Sequence, residues 1–278
     1  MAAVASAQGK DFSAFQRPVT PADLKGLSFA FSRVSNWSGT TMGTDPDFAH
    51  DWAAFKTAGL DRGAYWYLLP NVDPVAQARY FFNAVKAAGL DPGSLLVCDS
   101  EVLAANADQA THAFCATLAS LAGPQCPVIV YTNHNVGQHL TSCTGWPLWF
   151  AWPSPAAPPA SLIAPWKSWL VWQWGTAGGV DADAFNGTAT VLDAWTASHI
   201  PPPVPVNVPV TVTADGKKSL AQIAAAAGTL PSTILRVTAI HDGAFSPLLA
   251  GFLNGIFHGS VIPGTAVPAG VVLHLPTA

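Results

Sequence analysis

The sequence has few charged residues and no run of basic residues. Charged side chains make up 10% of the 278 residues, and the formal net charge is −4. A nucleic-acid partner is not expected, because its phosphates are bound by clustered basic side chains, and here arginine and lysine are scattered singly. Half of the residues are hydrophobic, so the chain can bury a large core.

Long apolar runs and a secretory leader are also missing. No run reaches the ~18 to 20 apolar residues that span a bilayer, and we expect no insertion into a membrane. The opening MAAVASAQGKDFSAF has neither a basic start nor an apolar segment behind it. If the protein acts outside the membrane, we expect it to leave the cytoplasm by a route other than standard secretion.

Cysteine is sparse, and none of the four cysteines forms a CxxC pair, so a structural zinc site is not indicated. Cys98 lies in an apolar run, where a free buried thiol is the ordinary interpretation. A disulfide among Cys115, Cys126 and Cys143 is left open, since the sequence does not select a pair.

A proline-rich segment divides the chain. The stretch IPPPVPVNVPV, 200–210, contains five prolines, which exclude a helix and favour an extended spacer. We predict a first domain over 1–198, a linker over 199–207 and a second domain over 208–278, all within the usual range of domain sizes.

The first domain alternates between strand-like and helix-like segments. Apolar, β-branched and aromatic runs predict strands at 27–35, 63–69, 94–101, 127–133, 147–153 and 168–174. Apolar residues at helical spacing predict helices at 47–59, 73–89 and 106–123. Such alternation is typical of a parallel sheet, and this number of units favours a barrel. After Tyr131 no further long helix is expected, so about five β/α units precede three strands joined by loops.

Two carboxylates follow the apolar run LLVCDSEV: Asp99 and Glu101. Residues i and i+2 of a strand share a face, and paired carboxyls can separate their pKa values so that one stays protonated. Cleavage of a glycosidic bond needs such an acid beside a negative charge or nucleophile. The alternative is a solvated strand end, or an acid that caps the helix near Asn106.

Other predicted strand ends carry polar and aromatic residues as well. In a parallel barrel these ends converge on one mouth, where Asp11 and Asp181 would join Asp99 and Glu101. We expect substrate contacts from six further residues: Arg33, Tyr65, Tyr67, Tyr131, Trp149 and Gln173. Seven of the eleven tryptophans lie between Trp146 and Trp174, and about half of these are expected to line the cleft, where aromatic faces suit sugar rings.

The order of these motifs resembles glycoside hydrolase family 25, the Chalaropsis-type lysozymes. The resemblance covers roughly residues 7–190 and rests on DFS, FAFSRVS, GAYWYLL, CDSE, YTN, LWFAW, LVWQW and VDADAF. It implies an irregular, TIM-like (β/α)5(β)3 barrel that hydrolyses the β-1,4 bond between N-acetylmuramic acid and N-acetylglucosamine in peptidoglycan.

The same resemblance implies roles for the four acids. Glu101 corresponds to the proton donor and Asp99 to its partner, either an electrostatic stabiliser or a group that orients the substrate's N-acetyl group. Asp11 and Asp181 match the remaining acids of the family's cleft. The mechanism implies no metal and no cofactor. Around the pair, Cys98 is expected in the barrel wall and Ser100 is expected to point away from the lumen.

The second domain resembles a LysM module, a small α+β fold that binds N-acetylglucosamine chains. The resemblance rests on Ser219 and Leu220 at a helix start, a second helix over 232–237 and the closing PAGVVLHLP. About twenty residues, 241–261, are inserted relative to that pattern. A packing or assembly module without sugar affinity is the alternative.

The sequence thus predicts a modular peptidoglycan hydrolase, an endolysin held in the host cytoplasm until lysis and then acting on the cell wall. The rival from another class is a non-catalytic peptidoglycan-binding or structural protein on the same barrel. A chitinase-like or amidase activity is the enzymatic rival. The oligomeric state is left open, with a monomer as the simplest expectation.

Overall fold

The computed structural model describes residues 6–200 and two short strands, 210–213 and 272–275. The elements of the first part, in chain order, are β1 Gln8–Phe12, β2 Phe29–Arg33, β3 Ser35–Ser38, β4 Thr41–Thr44, α1 Phe48–Thr57, β5 Asp61–Tyr67, α2 Pro74–Ala87, β6 Leu95–Asp99, α3 Ala107–Ala122, β7 Val128–Asn133, α4 His134–Gly137, a 3-10 turn Thr141–Cys143, β8 Leu148–Ala151, β9 Val171–Ala177, β10 Val180–Phe185 and α5 Ala189–His199.

Eight of these strands form a closed barrel in the order β1-β10-β9-β8-β7-β6-β5-β2. All neighbours are parallel except β10, which runs antiparallel to both β9 and β1. The predicted mixed α/β barrel is therefore confirmed. Helices follow β2, β5 and β6, a single helical turn follows β7, and the connection after β1 contains turns without a helix.

The three predicted helices are found within two residues of their predicted ends, as α1, α2 and α3. The start of α2 shows why the sequence was informative. The Asp73 side chain accepts hydrogen bonds from the backbone N–H groups of Val75 and Ala76, and Pro74 occupies the first turn. Both features satisfy or remove N–H groups that a helix start leaves without partners.

The barrel strands bury both of their faces, in two separate layers. Phe29, Phe31, Val97, Ile129 and Val171 fill the lumen. The alternate residues of the same strands, such as Trp66, Cys98 and Phe150, pack against α1–α3 in an outer layer. The two-residue period of a strand thus explains why these segments are apolar almost without interruption.

Two glycines make room for the phenylalanines of β2 inside the barrel. Gly9 is the register partner of Phe29, and Gly63 is the partner of Phe31. A Cβ atom at either glycine would overlap the neighbouring aromatic ring. Large and small residues therefore alternate around the lumen, which lets bulky rings fill a narrow barrel.

The prediction that no long helix follows Tyr131 is wrong, because α5 comes after the last strand. Thr188 caps it through a hydrogen bond to the backbone N–H of Val191. Leu192 and Trp195 belong to the lumen cluster, together with residues at the amino ends of the parallel strands. We conclude that α5 closes that end of the barrel, a role decided by tertiary packing and weakly marked in its sequence.

Two further segments differ from the prediction. The single strand expected over 27–35 ends at Arg33, and an antiparallel hairpin of β3 and β4 follows it. The segment around Asp181 was not among the predicted strand ranges, and it forms β10, the strand that closes the barrel against β1. Its backbone groups would otherwise leave an open sheet edge.

All four cysteines are free and buried, so the disulfide left open by the sequence is absent. Cys98 lies in the outer layer, as expected. Ser100 points away from the lumen, and its hydroxyl is 2.8 Å from that of Thr111 on α3.

The chain divides into two compact units, Met1–Pro201 and Pro202–Ala278. In the second unit, β11 Val210–Thr213 pairs antiparallel with β12 Val272–Leu275. The helices of the LysM-like prediction and the 241–261 insert lie outside the described residues. Among the residues that are described, no helix combines the length and hydropathy needed to cross a membrane.

Candidate active site

A cavity of about 260 Å³ opens at the carboxyl ends of the parallel strands. The structure brings all ten predicted site residues to its wall. They are Asp11, Arg33, Tyr65, Tyr67, Asp99, Glu101, Tyr131, Trp149, Gln173 and Asp181. The same wall includes Ser13, Phe15 and Gln16 from the loop after β1, which sequence reasoning missed. We call this cavity the acid pocket.

Three acids of the acid pocket region come from the antiparallel pair of β1 and β10. Asp11 is the register partner of Asp181, and Gly9 is the partner of Asp183. Facing residues of paired strands lie on the same side of a sheet, so all three carboxyls point into the lumen. Asp183 was missed, although its position two residues after Asp181 is the signal that places it on the same face.

Trp149 forms the floor of the pocket. Its ring stacks on Phe31 with centroids 4.2 Å apart, and its edge contacts involve Tyr131 at 4.6 Å and Tyr65 at 6.2 Å. Its indole N–H donates to Asp183 Oδ1 at 2.9 Å. The ring is therefore fixed on one side by stacking and at its polar end by a buried acceptor.

Asp99 and Glu101 lie side by side above this floor. Asp99 is 5% exposed and its Oδ1 has no hydrogen-bond partner. The two carboxyls are within hydrogen-bonding reach of each other, and Asn133 Nδ2 donates to Glu101 Oε2 at 3.2 Å. The pair is thus held so that a proton can lie between its members.

Burial raises the pKa values of both acids. Burial raises the pKa of Asp99 well above its usual range, and the charges of Glu101 and Asp11 add to the effect. Burial also raises the pKa of Glu101, while its hydrogen bond from Asn133 opposes the rise. In the free protein the shared proton therefore favours the more deeply buried Asp99.

A second acid pair lies across the lumen. Burial, reinforced by the charge of Asp181, raises the pKa of Asp11 to about 7. Burial and the adjacent Asp11 raise the pKa of Asp183 well above its usual range. Gln173 Nε2 donates to Asp11 at 2.8 Å, and the Tyr131 hydroxyl donates to Gln173 at 2.9 Å. Gln173 is therefore oriented from both sides.

Arg33 is the cation nearest to Asp99 in the pocket wall, and it is itself paired. Its Nε and one terminal nitrogen donate to Asp45 Oδ2 at 2.9 and 2.7 Å. Asp45, whose side chain is fully buried, also accepts from the backbone N–H groups of Ala14 and Asp47. Sequence reasoning missed Asp45, which lies in a connection and carries no motif.

The tryptophans are placed differently from the prediction. Of the seven between Trp146 and Trp174, only Trp149 lines the acid pocket in the described part of the chain. Trp146, Trp152, Trp166 and Trp169 pack in or against the outer layer. These four lie in the connections before β8 and between β8 and β9, and tyrosines supply most of the aromatic wall instead.

A closed barrel with clustered acids at the carboxyl ends of its strands suits the chemistry of a glycoside hydrolase. Residues 4–182 match the model described as glycosyl hydrolases family 25. The chain belongs to this family. Among the described residues, no group of three or more histidine, cysteine, aspartate or glutamate side chains is arranged to hold a metal ion.

Curated proteins resemble this chain in sequence, and solved structures resemble it in fold. YegX of Escherichia coli (strain K12) is 27% identical over 182 residues, covering 61% of this chain and 64% of YegX, so the chain spans less than two thirds of that relative. A muramidase from Acremonium alcalophilum is 24% identical with a TM-score of 0.56, covering 69% of this chain and 99% of its own. The catalytic domain of endolysin ply40 from bacteriophage P40 of Listeria monocytogenes is 20% identical with a TM-score of 0.56, and the match covers 69% of this chain and 97% of that domain's chain. The two solved structures share the fold.

Proposed function

We propose that this protein is a peptidoglycan hydrolase that cleaves the β-1,4 bond between N-acetylmuramic acid and N-acetylglucosamine. The observation that carries the proposal is the Asp99–Glu101 pair, two acids within reach of one proton above an aromatic floor. Family membership and the resemblance to structures named as a muramidase and an endolysin support it.

In the proposed mechanism Glu101 protonates the leaving glycosidic oxygen. Glu101 is the less buried member of the pair, so it faces the incoming substrate, while Asp99 holds the shared proton in the free protein. A bound sugar excludes water from Glu101 and raises its pKa further. The proton then passes to Glu101, which leaves Asp99 negatively charged beside the oxocarbenium-like transition state.

The geometry supports one of the two roles considered for Asp99. Asp99 lies close enough to Glu101 for each carboxyl to shift the pKa of the other, so it adjoins the sugar whose glycosidic oxygen Glu101 would protonate. Asp99 Oδ1 is also free to accept a hydrogen bond. These observations favour Asp99 as the group that accepts the N–H of the substrate's N-acetyl group and orients its oxygen towards the anomeric carbon.

Fragment analysis tests the reaction. Digestion of purified peptidoglycan is expected to release fragments with muramic acid at the reducing end, as identified by mass spectrometry. Release of N-acetylglucosamine reducing ends or of free stem peptides would instead indicate a glucosaminidase or an amidase. Glu101→Gln is expected to lose at least about 100-fold in rate, as removal of a general acid does. Equal clearing of a cell-wall suspension by wild type and Glu101→Gln would contradict the mechanism and favour a non-catalytic role.

The role of the second unit is part of the proposal. We propose that residues 208–278 bind the cell wall, and that the protein acts there once host lysis has begun through holin-type lesions. A pull-down with insoluble cell wall compares the full chain with a chain ending at Pro201. Equal retention of the two chains would contradict a binding role. The route of release is tested by expressing the intact protein in a host without any partner that forms membrane lesions. Lysis of that host would contradict the proposed route.

A further inference from the structure

A second cavity adjoins the acid pocket and is unused by the proposed chemistry. It has a volume of about 490 Å³ and lies between the loop after β1 and the β3–β4 hairpin. Phe15, Arg33 and Tyr67 line both cavities, while Asn36 and Trp37 of β3 line only the second. We call this second cavity the hairpin pocket. A ligand that leaves the acid pocket past Tyr67 enters it directly.

The walls of the hairpin pocket are fixed by internal contacts. Trp37 donates its indole N–H to the carbonyl of Tyr67 at 2.9 Å and packs edge-on against Trp66 at 5.4 Å. On the opposite wall, Asp45 accepts from both Arg33 and the backbone N–H of Ala14, which ties the loop carrying Phe15 to the hairpin connection. A preformed site of this kind loses little free energy to ordering when a ligand binds.

The chemistry of the hairpin pocket is aromatic and polar but without free charge. Phe15, Trp37 and Tyr67 supply ring surfaces, and Phe15 is 83% exposed. Asn36 offers an exposed amide. No carboxylate is among the described lining residues, and the charge of Arg33 is matched by Asp45. Such a surface suits a neutral ring with an apolar face and an amide, and it does not suit the carboxylates of a peptide.

We propose that the hairpin pocket is a sugar-binding subsite for an N-acetylglucosamine unit of the same glycan strand that the acid pocket cleaves. This inference rests on the proposed function. The sugar packs against Phe15 and Trp37, and its N-acetyl group hydrogen-bonds with Asn36. Occupation of the subsite makes longer glycan strands bind more tightly than the shortest fragments.

Binding as a function of glycan length tests this inference without relying on turnover. The parent protein is full-length Glu101→Gln, and calorimetry measures its affinity for peptidoglycan glycan fragments of two, four, six and eight sugars without stem peptides. The parent is expected to bind the long fragments at least about tenfold more tightly than the disaccharide. Adding Phe15→Ala or Asn36→Ala is expected to reduce this long-to-short ratio, by about tenfold for Phe15 and about threefold for Asn36. Both side chains are exposed, so the variants should fold, and thermal melting checks this.

Val191→Ala is the matched control, because Val191 is a 50% exposed apolar side chain on α5. The long-to-short affinity ratio of this control variant is expected to equal that of the parent. Three results would overturn the subsite. They are a long-to-short affinity ratio that neither Phe15→Ala nor Asn36→Ala changes, an equal loss of affinity for short and long fragments, and no binding of fragments of any length. A gain that appears only when stem peptides are attached would mean that the pocket takes peptide, and it would also overturn the inference. If wild type fails to cleave the glycan, the proposed function fails, while the effect of Phe15→Ala and Asn36→Ala on the length dependence of Glu101→Gln still decides the subsite.

Discussion

Trp149 and Asp183 are joined by a hydrogen bond of 2.9 Å that runs from β8 to β10 inside the barrel. The two strands are not neighbours, since β9 lies between them. The bond therefore fixes the floor of the acid pocket to the strand that carries Asp181. It also leaves Asp183 Oδ2 without a hydrogen-bond partner, next to Asp11.

Asp183→Leu is expected to release the Trp149 ring, because the indole N–H loses its acceptor. A small displacement of a positioning surface reduces kcat/KM by about 10- to 100-fold. Asp183→Asn keeps an acceptor oxygen and should stay within about threefold of wild type. The indole N–H resonance of Trp149 in ¹⁵N spectra should shift in the leucine variant and hardly move in the asparagine variant. Full activity of Asp183→Leu would show that the bond does not position the floor.

Asp11 makes stability depend on pH. Its folded-state pKa of about 7 lies above the ~3.9 of an unfolded aspartate. Between these values the folded state holds more protons than the unfolded state, so the free energy of unfolding falls as pH rises from about 4 to about 7. Asp11→Asn should remove this fall in the free energy of unfolding. It should therefore raise Tm at pH 8 by a few degrees or more and leave Tm at pH 4 almost unchanged.

Thermal melting of both proteins across this pH range measures the effect. Because Asp11 lines the acid pocket, the same variant should lose activity, as is common where function requires an unfavourable charge. A constant difference in Tm at all pH values would contradict the assignment to Asp11.

The Arg33–Asp45 pair is expected to show strong coupling. Arg33→Met leaves the fully buried carboxylate of Asp45 without its cation, which costs about 3 kcal/mol or more. Adding Asp45→Asn removes the unpaired charge and should recover part of the loss. A double-mutant cycle by urea unfolding gives the coupling energy, and additive effects of the two substitutions would argue against the pair as a structural unit.

Gly63 is expected to tolerate no side chain. A Cβ there overlaps the Phe31 ring, so Gly63→Ala should reduce the free energy of unfolding by about 1 to 3 kcal/mol, as overpacking does. Phe31→Leu in the same chain should restore part of this. Gly145→Ala is the control, because no atom lies within 4 Å of its added Cβ. Equal unfolding free energies for the two alanine variants would contradict the packing argument.

Local sequence signals predicted the features that depend on nearby residues. Asp73 and Pro74 marked the start of α2, and the apolar period separated strands from helices, because capping and burial of one face act within a few residues. The pair Asp99 and Glu101 was visible for the same reason, as two acids at the end of an apolar run. Features set by distant packing were missed, including α5, the β3–β4 hairpin and the outward position of most tryptophans.

The sequence by itself predicted the family through its resemblance to known members. Its alternation of strand-like and helix-like segments indicated a barrel, and its polar strand ends named the ten residues that meet at the mouth. Only the tertiary structure decided which acids lie close enough to shift each other's pKa, that Asp183 and Asp45 hold Trp149 and Arg33 in place, and that a second pocket continues from the first. These relationships join residues far apart in the chain, and their energies depend on distances and burial that exist only once the barrel has closed.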